Sequence, residues 1–189
     1  DQITVVGNGS ACVVGGHGYI MKKGQRFLSN SAIASMGYDL PAAIGACMAA
    51  HDPEHEGDGY SRHDIILVTG DGSIQMNLQE LGTVMEQKAP VKMILLNNNF
   101  LGNVRQWQAM FFNRRYSFTP MMNPDYMKIA SAYEIPARRV FTREELAKAI
   151  DEMIATDGPF LLEACVEEEG NVMPMTPPGG SVNQMLLEC

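Results

Sequence analysis

Short apolar runs alternate along the chain with segments whose apolar residues recur at helical spacing. Two of these runs, at 65–68 and 91–96, are nearly continuous, as expected for strands that are covered on both faces of a sheet. The pattern predicts six strands, at residues 3–6, 26–29, 64–69, 91–97, 137–140 and 160–166. Strands that alternate with helices predict an α/β fold: a doubly wound parallel sheet with helices on both faces and right-handed crossovers.

Two helix starts carry a capping-box pattern, in which a polar cap residue precedes a glutamate by three positions. Asn77 precedes Glu80, and Thr142 precedes Glu145, each ahead of an apolar stripe at helical spacing. A further helix is predicted to begin near Pro41, because proline is favoured in a first helical turn.

The length and composition suit one domain with a single substantial core, since 46% of the 189 residues are hydrophobic. Residues 1–170 are interpreted as that domain. Residues 171–189, rich in proline and glycine, are interpreted as a C-terminal tail that cannot continue the sheet and could end in a short helix. The polar stretch 51–63 is predicted to be an exposed loop. The chain begins with Asp1 instead of Met, which favours a fragment of a longer chain.

Charge and cysteine usage narrow the possible partners and the compartment. A net charge of −8 without basic runs argues against nucleic acid and anionic membranes as partners. No apolar stretch approaches the ~20 residues that a membrane span requires. The scattered cysteines favour reduced thiols and a cytoplasmic protein; they are Cys12, Cys47, Cys165 and Cys189.

The candidate chemistry lies where the third and fourth predicted strands end. A Gly-Asp-Gly-Ser turn, centred on Asp71, follows one strand, and Asn98 follows the other. Open α/β sheets bind ligands beyond the carboxyl ends of their strands. A carboxylate and an amide oxygen suit Mg²⁺, which usually takes further ligands from bound phosphates, and glycines let backbone N–H groups approach a phosphate closely. The pair therefore predicts a magnesium site shared with a diphosphate.

Two other segments leave alternatives open. Small residues lead into Met36, which either packs in the core of a tight strand-to-helix connection or forms the wall of a cofactor site. The Gly7-Asn8-Gly9 segment invites a dinucleotide site, but the G-x-G-x-x-G/A fingerprint fails at Cys12. No G-x-x-x-x-G-K-[ST] phosphate loop is present, so these motifs argue against a nucleotide.

The residue sequences of several segments resemble those of a known family. The segments GDGSIQMNLQEL and PVKMILLNNNFLGNVRQWQ are similar to the signature of thiamine-diphosphate enzymes. With RYSFTPMMNPDYMKIASAY, GPFLLEACV and NVMPMTPPGG, they resemble the C-terminal cofactor-binding domain of the acetolactate synthase (acetohydroxyacid synthase) catalytic subunit. The resemblance implies a transferase of branched-chain amino-acid biosynthesis, which condenses pyruvate with pyruvate or 2-oxobutyrate and releases CO₂.

The resemblance also implies roles for individual residues. The Mg²⁺ ligands would be Asp71, Asn98 and the backbone carbonyl of Phe100. Contacts to thiamine diphosphate would come from four short segments: Gly7 and Asn8; Ala34, Ser35 and Met36; Gly70, Asp71, Gly72 and Ser73; and Asn98, Phe100 and Gly102. The second substrate would be chosen by Asn103, Val104 and Trp107. No catalytic residue is expected in this chain, because the activating glutamate belongs to a separate pyrimidine-binding domain.

The implied partner is the pyrimidine-binding domain of a second subunit in a homodimer or tetramer, with a regulatory small subunit as a further candidate. The tail 171–189 resembles the family's C-terminal segment, which implies that it closes over the site. FAD would occupy a middle domain of the full-length enzyme. The isolated chain is therefore expected to bind the cofactor weakly and to turn nothing over. Two alternatives stay open: a domain or subunit of another thiamine-diphosphate-dependent 2-oxo acid decarboxylase or oxidoreductase, and a non-catalytic binding domain.

The chain departs from the family pattern at three places. Asn8-Gly9 stands where Gln-His is frequent, Asn103 where methionine is common, and Asp39 where a small residue is usual. These departures concern the diphosphate contacts and the preference for the second 2-oxo acid.

Overall fold

A computed structural model of the chain describes residues 2–52, 54 and 64–188. Six strands form one sheet in the order β2-β1-β3-β4-β6-β5, and every pair is parallel. They are β1 (Gln2–Val6), β2 (Arg26–Ser29), β3 (Asp64–Gly70), β4 (Val91–Asn97), β5 (Ala137–Val140) and β6 (Phe160–Cys165). The six predicted strands are confirmed, with their ends within one residue.

Helices connect the strands, as the alternating pattern predicts. They are α1 (Ser10–Gly18), α2 (Asp39–Ala50), α3 (Asp71–Ile74), α4 (Leu81–Gln87), α5 (Gly102–Phe111), α6 (Tyr126–Ala132) and α7 (Arg143–Ala155). A 3₁₀ segment, Gln75–Glu80, joins α3 to α4. Pro41 lies in the first turn of α2, as expected.

The core has two parts, one on each face of the sheet. Along β4, Met93 and Leu95 pack into a cluster with residues of α2, α4 and α6. The alternate residues of β4, Ile94 and Leu96, pack into a second cluster with residues of α7. Because side chains alternate between the faces of a strand, the two clusters place helices on both faces. The α/β class and parallel sheet are confirmed.

One of the two predicted capping boxes is confirmed. Thr142 Oγ1 accepts a hydrogen bond from the Glu145 N–H at 3.3 Å, and Glu145 Oε2 accepts one from the Thr142 N–H at 3.2 Å. The box at Asn77 is wrong: Asn77 lies inside the 3₁₀ segment with φ −134°. Its side chain instead donates to the carbonyl of Gly37 at 2.7 Å, so a tertiary hydrogen bond replaces the cap.

Several smaller expectations also have an outcome. The Gly-Asp-Gly-Ser turn is the start of helix α3. The described part of the tail contains no helix; its one regular feature is a bridge between Met175 and Leu186. Of the stretch 51–63, all but residues 51, 52 and 54 lies outside the described residues. Among the described cysteines, Cys12, Cys47 and Cys165 are free thiols. None of the helices in the described ranges is both long and apolar enough to cross a membrane.

Candidate functional site

Residues that follow β1, β3 and β4 line a cavity of about 370 Å³. The chain leaves β1 for β2 on one side and returns to β3 on the other, so the cavity lies at a topological switch point, where open α/β sheets bind ligands. Gly70 pairs in register with Leu96. The chain segments after these two residues therefore leave the sheet side by side and bring Asp71 and Asn98 to one cavity.

Asp71 is a buried carboxylate held by N–H groups. It is 3% exposed, and its Oδ1 accepts from the Gly72 N–H at 3.0 Å. Its Oδ2 accepts from the Asn99 N–H at 2.9 Å and from Asn123 Nδ2 at 2.7 Å. Burial raises the pKa of Asp71 above its ordinary value, and these hydrogen bonds oppose the rise. Among the described residues, no salt bridge involves Asp71.

Asn98 and Phe100 line the same cavity as Asp71. The Phe100 N–H donates to Asn98 Oδ1 at 3.1 Å, and Asn99 between them is left-handed, with φ 57°. One carboxylate, one amide oxygen and one carbonyl suit a magnesium ion that takes its other ligands from a phosphate. Within the described ranges no group of three or more His, Cys, Asp or Glu side chains could hold a metal alone.

Asn123 is the most informative residue that the sequence analysis missed. Its Nδ2 donates to Asp71 Oδ2, to Asn97 Oδ1 at 2.9 Å and to Asn99 Oδ1 at 3.2 Å. Its Oδ1 accepts from Gln75 Nε2 at 2.8 Å. Asn123 is 52 residues from Asp71 in the chain and belongs to no spacing that would mark it, so only the fold reveals it.

Gly72 and Met36 shape the floor of the cavity. A Cβ on Gly72 would lie 2.9 Å from Met36 Cε, 3.0 Å from Leu101 Cδ2 and 3.2 Å from Met121 Sδ. The first of these distances is shorter than Cβ atoms normally show and the other two are tight, so an added Cβ would force the ends of three flexible side chains to move. Met36 lines the cavity, which favours the cofactor-wall interpretation over the core interpretation.

The hydroxyl of Ser73 holds the fold together behind the cavity. It accepts from the Gly37 N–H at 2.9 Å and donates to Asp39 Oδ1 at 2.9 Å. Gly37 has φ +83°, a conformation that favours glycine. The hydroxyl of Ser73 is thus used within the protein, by Gly37 and Asp39.

The first strand end contributes differently from what the resemblance implies. The Gly7 N–H donates to the Val68 carbonyl at 2.7 Å, so it is used within the sheet. A Cβ on Gly7 would overlap Asp39 Oδ2, and the glycine therefore makes room for that buried carboxylate. Asn8 lines the cavity, while its Nδ2 donates to the Ser35 carbonyl at 2.7 Å.

Most of the predicted site residues meet at this cavity. Those that line it are Asn8, Met36, Gly70, Asp71, Gly72, Ser73, Asn98, Phe100, Gly102, Asn103 and Val104. Gly7, Ala34, Ser35 and Trp107 do not. Ala34 has a left-handed backbone, with φ 56°. Trp107 is 40% exposed on α5 and packs against Phe111, with ring centroids 5.0 Å apart.

The sequence analysis also missed Ser10, whose Oγ donates to Asn103 Oδ1 at 3.1 Å across the cavity. No motif marks this residue, although it follows directly after the Gly7-Asn8-Gly9 segment. The bond joins the beginning of α1 to α5 and leaves the Asn103 amide N–H groups available at the cavity.

Residues 166–172 form one further wall, which includes Val166 and Val172. Gln106 on α5 holds this wall by the backbone of Val172: its Nε2 donates to the carbonyl at 3.0 Å, and its Oε1 accepts from the N–H at 2.9 Å. The adjacent Arg105 forms an ion pair with Glu169. Helix α5 thus positions the segment that leads into the tail.

The family model described as "Thiamine pyrophosphate enzyme, C-terminal TPP binding domain" matches residues 7–164. The chain is 40% identical to the acetolactate synthase isozyme 2 large subunit of Escherichia coli (strain K12) over 163 residues, which are 86% of this chain and 28% of that protein. It is 41% identical to the acetolactate synthase large subunit of Cyanidium caldarium over 164 residues, 85% of this chain and 26% of that one.

Acetolactate synthase 2, chloroplastic, of Nicotiana tabacum is 35% identical over 205 aligned positions, which cover 100% of this chain and 29% of that protein. The chain therefore spans less than a third of the length of these curated relatives.

Proposed function

Because the chain belongs to the family of thiamine pyrophosphate enzymes, whose C-terminal TPP-binding domain it matches, we propose that Mg²⁺ anchors thiamine diphosphate in the cavity. The observation that carries the proposal is the Asp71 carboxylate, which is buried beside Asn98 and Phe100. A buried carboxylate without a counter-charge is costly, and among the described side chains no cation pairs with this one. A bound divalent ion would remove that cost.

The residues of this chain would divide the work of binding. Asp71, Asn98 and the carbonyl of Phe100 would hold Mg²⁺, and the backbone near Gly72 and Ser73 would face the diphosphate. Met36, whose side chain lies beside Gly72 and lines the cavity, would support the cofactor. When bound, thiamine diphosphate would supply a nucleophilic carbon that adds to the carbonyl of a 2-oxo acid, and a positively charged ring that accepts the electrons released with CO₂.

The surroundings of the cavity favour decarboxylation. Its walls include the apolar side chains of Val104, Val166 and Val172. Because Val104 is 48% and Val166 is 45% exposed, a covering partner would be needed to exclude water from the reacting atoms. A dry environment favours a step in which charge is dispersed. The relatives named above are acetolactate synthases, so we assign to the full-length enzyme the condensation of pyruvate with pyruvate or 2-oxobutyrate.

Calorimetric titration with thiamine diphosphate and Mg²⁺ tests the site. Asp71→Asn should weaken metal-dependent binding by at least about 100-fold. Substitution of a residue that only hydrogen-bonds to a metal ligand already costs up to about 100-fold, and loss of a ligand should cost more. Asp151→Asn, an exposed change on α7, is the matched control and should leave affinity unchanged. Equal affinity of the Asp71 variant and the wild type would refute the metal assignment.

The complete enzyme would need more than this chain. We propose that a pyrimidine-binding domain of a second subunit supplies the activating glutamate, that FAD occupies a middle domain, and that the enzyme works in the cytoplasm. Exposed apolar side chains on the loop between α5 and α6 support a covering partner, since Phe118 is 95% and Met122 is 99% exposed. Acetolactate formation by the 189 residues alone would contradict the need for that partner.

One observation keeps a second candidate in view. Asn103 places an amide at the cavity, where its N–H groups could meet a polar substrate. A related thiamine-diphosphate-dependent 2-oxo acid decarboxylase or oxidoreductase is therefore the alternative. Product analysis with pyruvate distinguishes the two, because a synthase yields 2-acetolactate and a decarboxylase yields acetaldehyde.

A further inference from the structure

A line of polar side chains runs from Asp71 to the edge of the sheet, and its centre is a buried carboxylate. Glu163 on β6 is 1% exposed. Its Oε1 accepts from Asn97 Nδ2 at 2.8 Å, and its Oε2 accepts from Arg139 Nε at 2.6 Å. The charge of Glu163 is thus paired on one side, while its other oxygen faces the end of β4.

The carboxylate of Glu163 fixes the direction of this line. An ionised carboxylate only accepts hydrogen bonds, so Asn97 must turn its nitrogen towards Glu163. Its oxygen then faces the site, where it accepts from Asn123 Nδ2 at 2.9 Å and from the Asn99 N–H at 3.2 Å. Asn123 must in turn present its nitrogen to Asn97 and to Asp71.

The opposite end of Asn123 supports the same orientation. Gln75 Nε2 donates to Asn123 Oδ1 at 2.8 Å, which keeps the oxygen away from Asp71. A reversed Asn123 would place its oxygen against the Asp71 carboxylate, so two acceptors would face each other. The observed orientation gives Asp71 Oδ2 a donor at 2.7 Å and holds the carboxylate in one direction.

We propose that Glu163 is a positioning residue for the magnesium site: by fixing the amide of Asn97, it orients Asn123 and so the carboxylate of Asp71. This inference rests on the proposed function. Glu163 does not line the cavity, so its effect on the metal is transmitted through the two asparagines.

Glu163→Gln is the sharpest variant, because glutamine has nearly the same shape and offers only one acceptor. Arg139 can only donate, so it takes the new oxygen, and the new nitrogen meets Asn97. Asn97 must then reverse its amide and turn its nitrogen towards Asn123. Asn123 loses its acceptor there and is driven to present its oxygen beside Asp71.

The experiment measures Mn²⁺ binding at saturating thiamine diphosphate, from the electron paramagnetic resonance signal of free Mn²⁺. Glu163→Gln should raise the Kd for Mn²⁺ by about 10-fold to 100-fold, the range typical of partners of metal ligands. The matched control is Glu152→Gln, which removes a partly exposed ion pair with Arg138, the neighbour of Arg139 on β5. This variant should leave the Kd unchanged.

A second variant keeps the test informative if the Glu163→Gln protein does not fold. Asn97→Ala breaks the line between Glu163 and Asn123 and should raise the Kd similarly. The Kd of the double variant for Mn²⁺ should not exceed the larger of the two single-variant values, because the effects of residues that act through the same series of hydrogen bonds are not additive. Additive losses, or a Kd within twofold of wild type in a folded Glu163→Gln protein, would overturn the inference. Asp71→Asn reports separately on the proposed function: if it binds Mn²⁺ normally, the site itself fails.

Discussion

Asn123 Nδ2 lies 2.7 Å from Asp71 Oδ2, although the two residues are 52 positions apart in the chain. The loop between α5 and α6 thereby touches the carboxylate that starts α3. A metal site at Asp71 would depend on this loop as well as on the strand ends.

The first prediction concerns that hydrogen bond. Asn123→Ala should raise the Kd for Mn²⁺ with thiamine diphosphate by about 10-fold, as loss of a partner of a metal ligand does. The bond is among the causes that lower the pKa of Asp71, so its removal also disfavours the ionised form. Electron paramagnetic resonance of free Mn²⁺ measures the change, and the exposed substitution Gln87→Ala at the end of α4 should have no effect.

The second prediction concerns the space at Gly72. Gly72→Ala places a Cβ 2.9 Å from Met36 Cε. Because the flexible Met36 side chain can move aside, the cost should lie at the low end of the range of about 1–3 kcal/mol for overpacking. Chemical denaturation should show this loss, and Met36→Ala in the same protein should restore part of it. Gly16→Ala in helix α1 is the control, because its Cβ would meet nothing within 4 Å. Helix propensity makes that control neutral or stabilising by up to about 1 kcal/mol.

The third prediction concerns the second 2-oxo acid and rests on the proposed function. Asn103→Met breaks the bond from Ser10 and makes the cavity more apolar beside Val104. In the full-length enzyme, the preference for 2-oxobutyrate over pyruvate should rise on the order of 10-fold, the value of one methylene in an apolar pocket. Product ratios from a competition assay measure it. Ser10→Ala removes the same bond but keeps the amide, and an equal shift in that variant would contradict the explanation.

The fourth prediction concerns alkaline pH. Burial raises the pKa of the Cys47 thiol from 9.0 to about 11, so the folded state holds this proton more tightly than the unfolded state. The stabilisation is complete below pH 9 and is lost as the pH rises towards about 11. The free energy of unfolding should therefore fall between these values with a slope that Cys47→Ala reduces. A slope unchanged in that variant would assign the effect to other groups.

The bounds of the strands could be predicted closely because runs of apolar residues mark where each buried strand begins and ends. The residues of β4 alternate between fully and partly buried, because helices cover both faces of the sheet, so its apolar residues are nearly continuous and mark both ends. The cap at Thr142 is equally local, since its two hydrogen bonds join residues three apart. Asn77 shows where such reasoning stops, because its side chain prefers a carbonyl 40 residues away to a cap.

The candidate site could be predicted in part, for the same reason. Asp71 and Asn98 follow neighbouring strands, so sheet topology brings them together at one cavity. Asn123 and Glu163 reach Asp71 only through tertiary hydrogen bonds, which no spacing in the chain encodes. The amide of Gly7 illustrates the reverse case, since a glycine expected near the phosphate uses its N–H within the sheet.

The two hydrogen bonds from Gln106 to Val172 recognise main-chain atoms, not the valine side chain. The backbone of residue 172 therefore holds this wall in place, while its side chain is what faces the cavity. Mutation can replace the side chain at position 172, and with it the size or polarity of the chamber, while the attachment to α5 persists. Substrate preference could therefore change during evolution while the hydrogen bonds that hold this wall are kept.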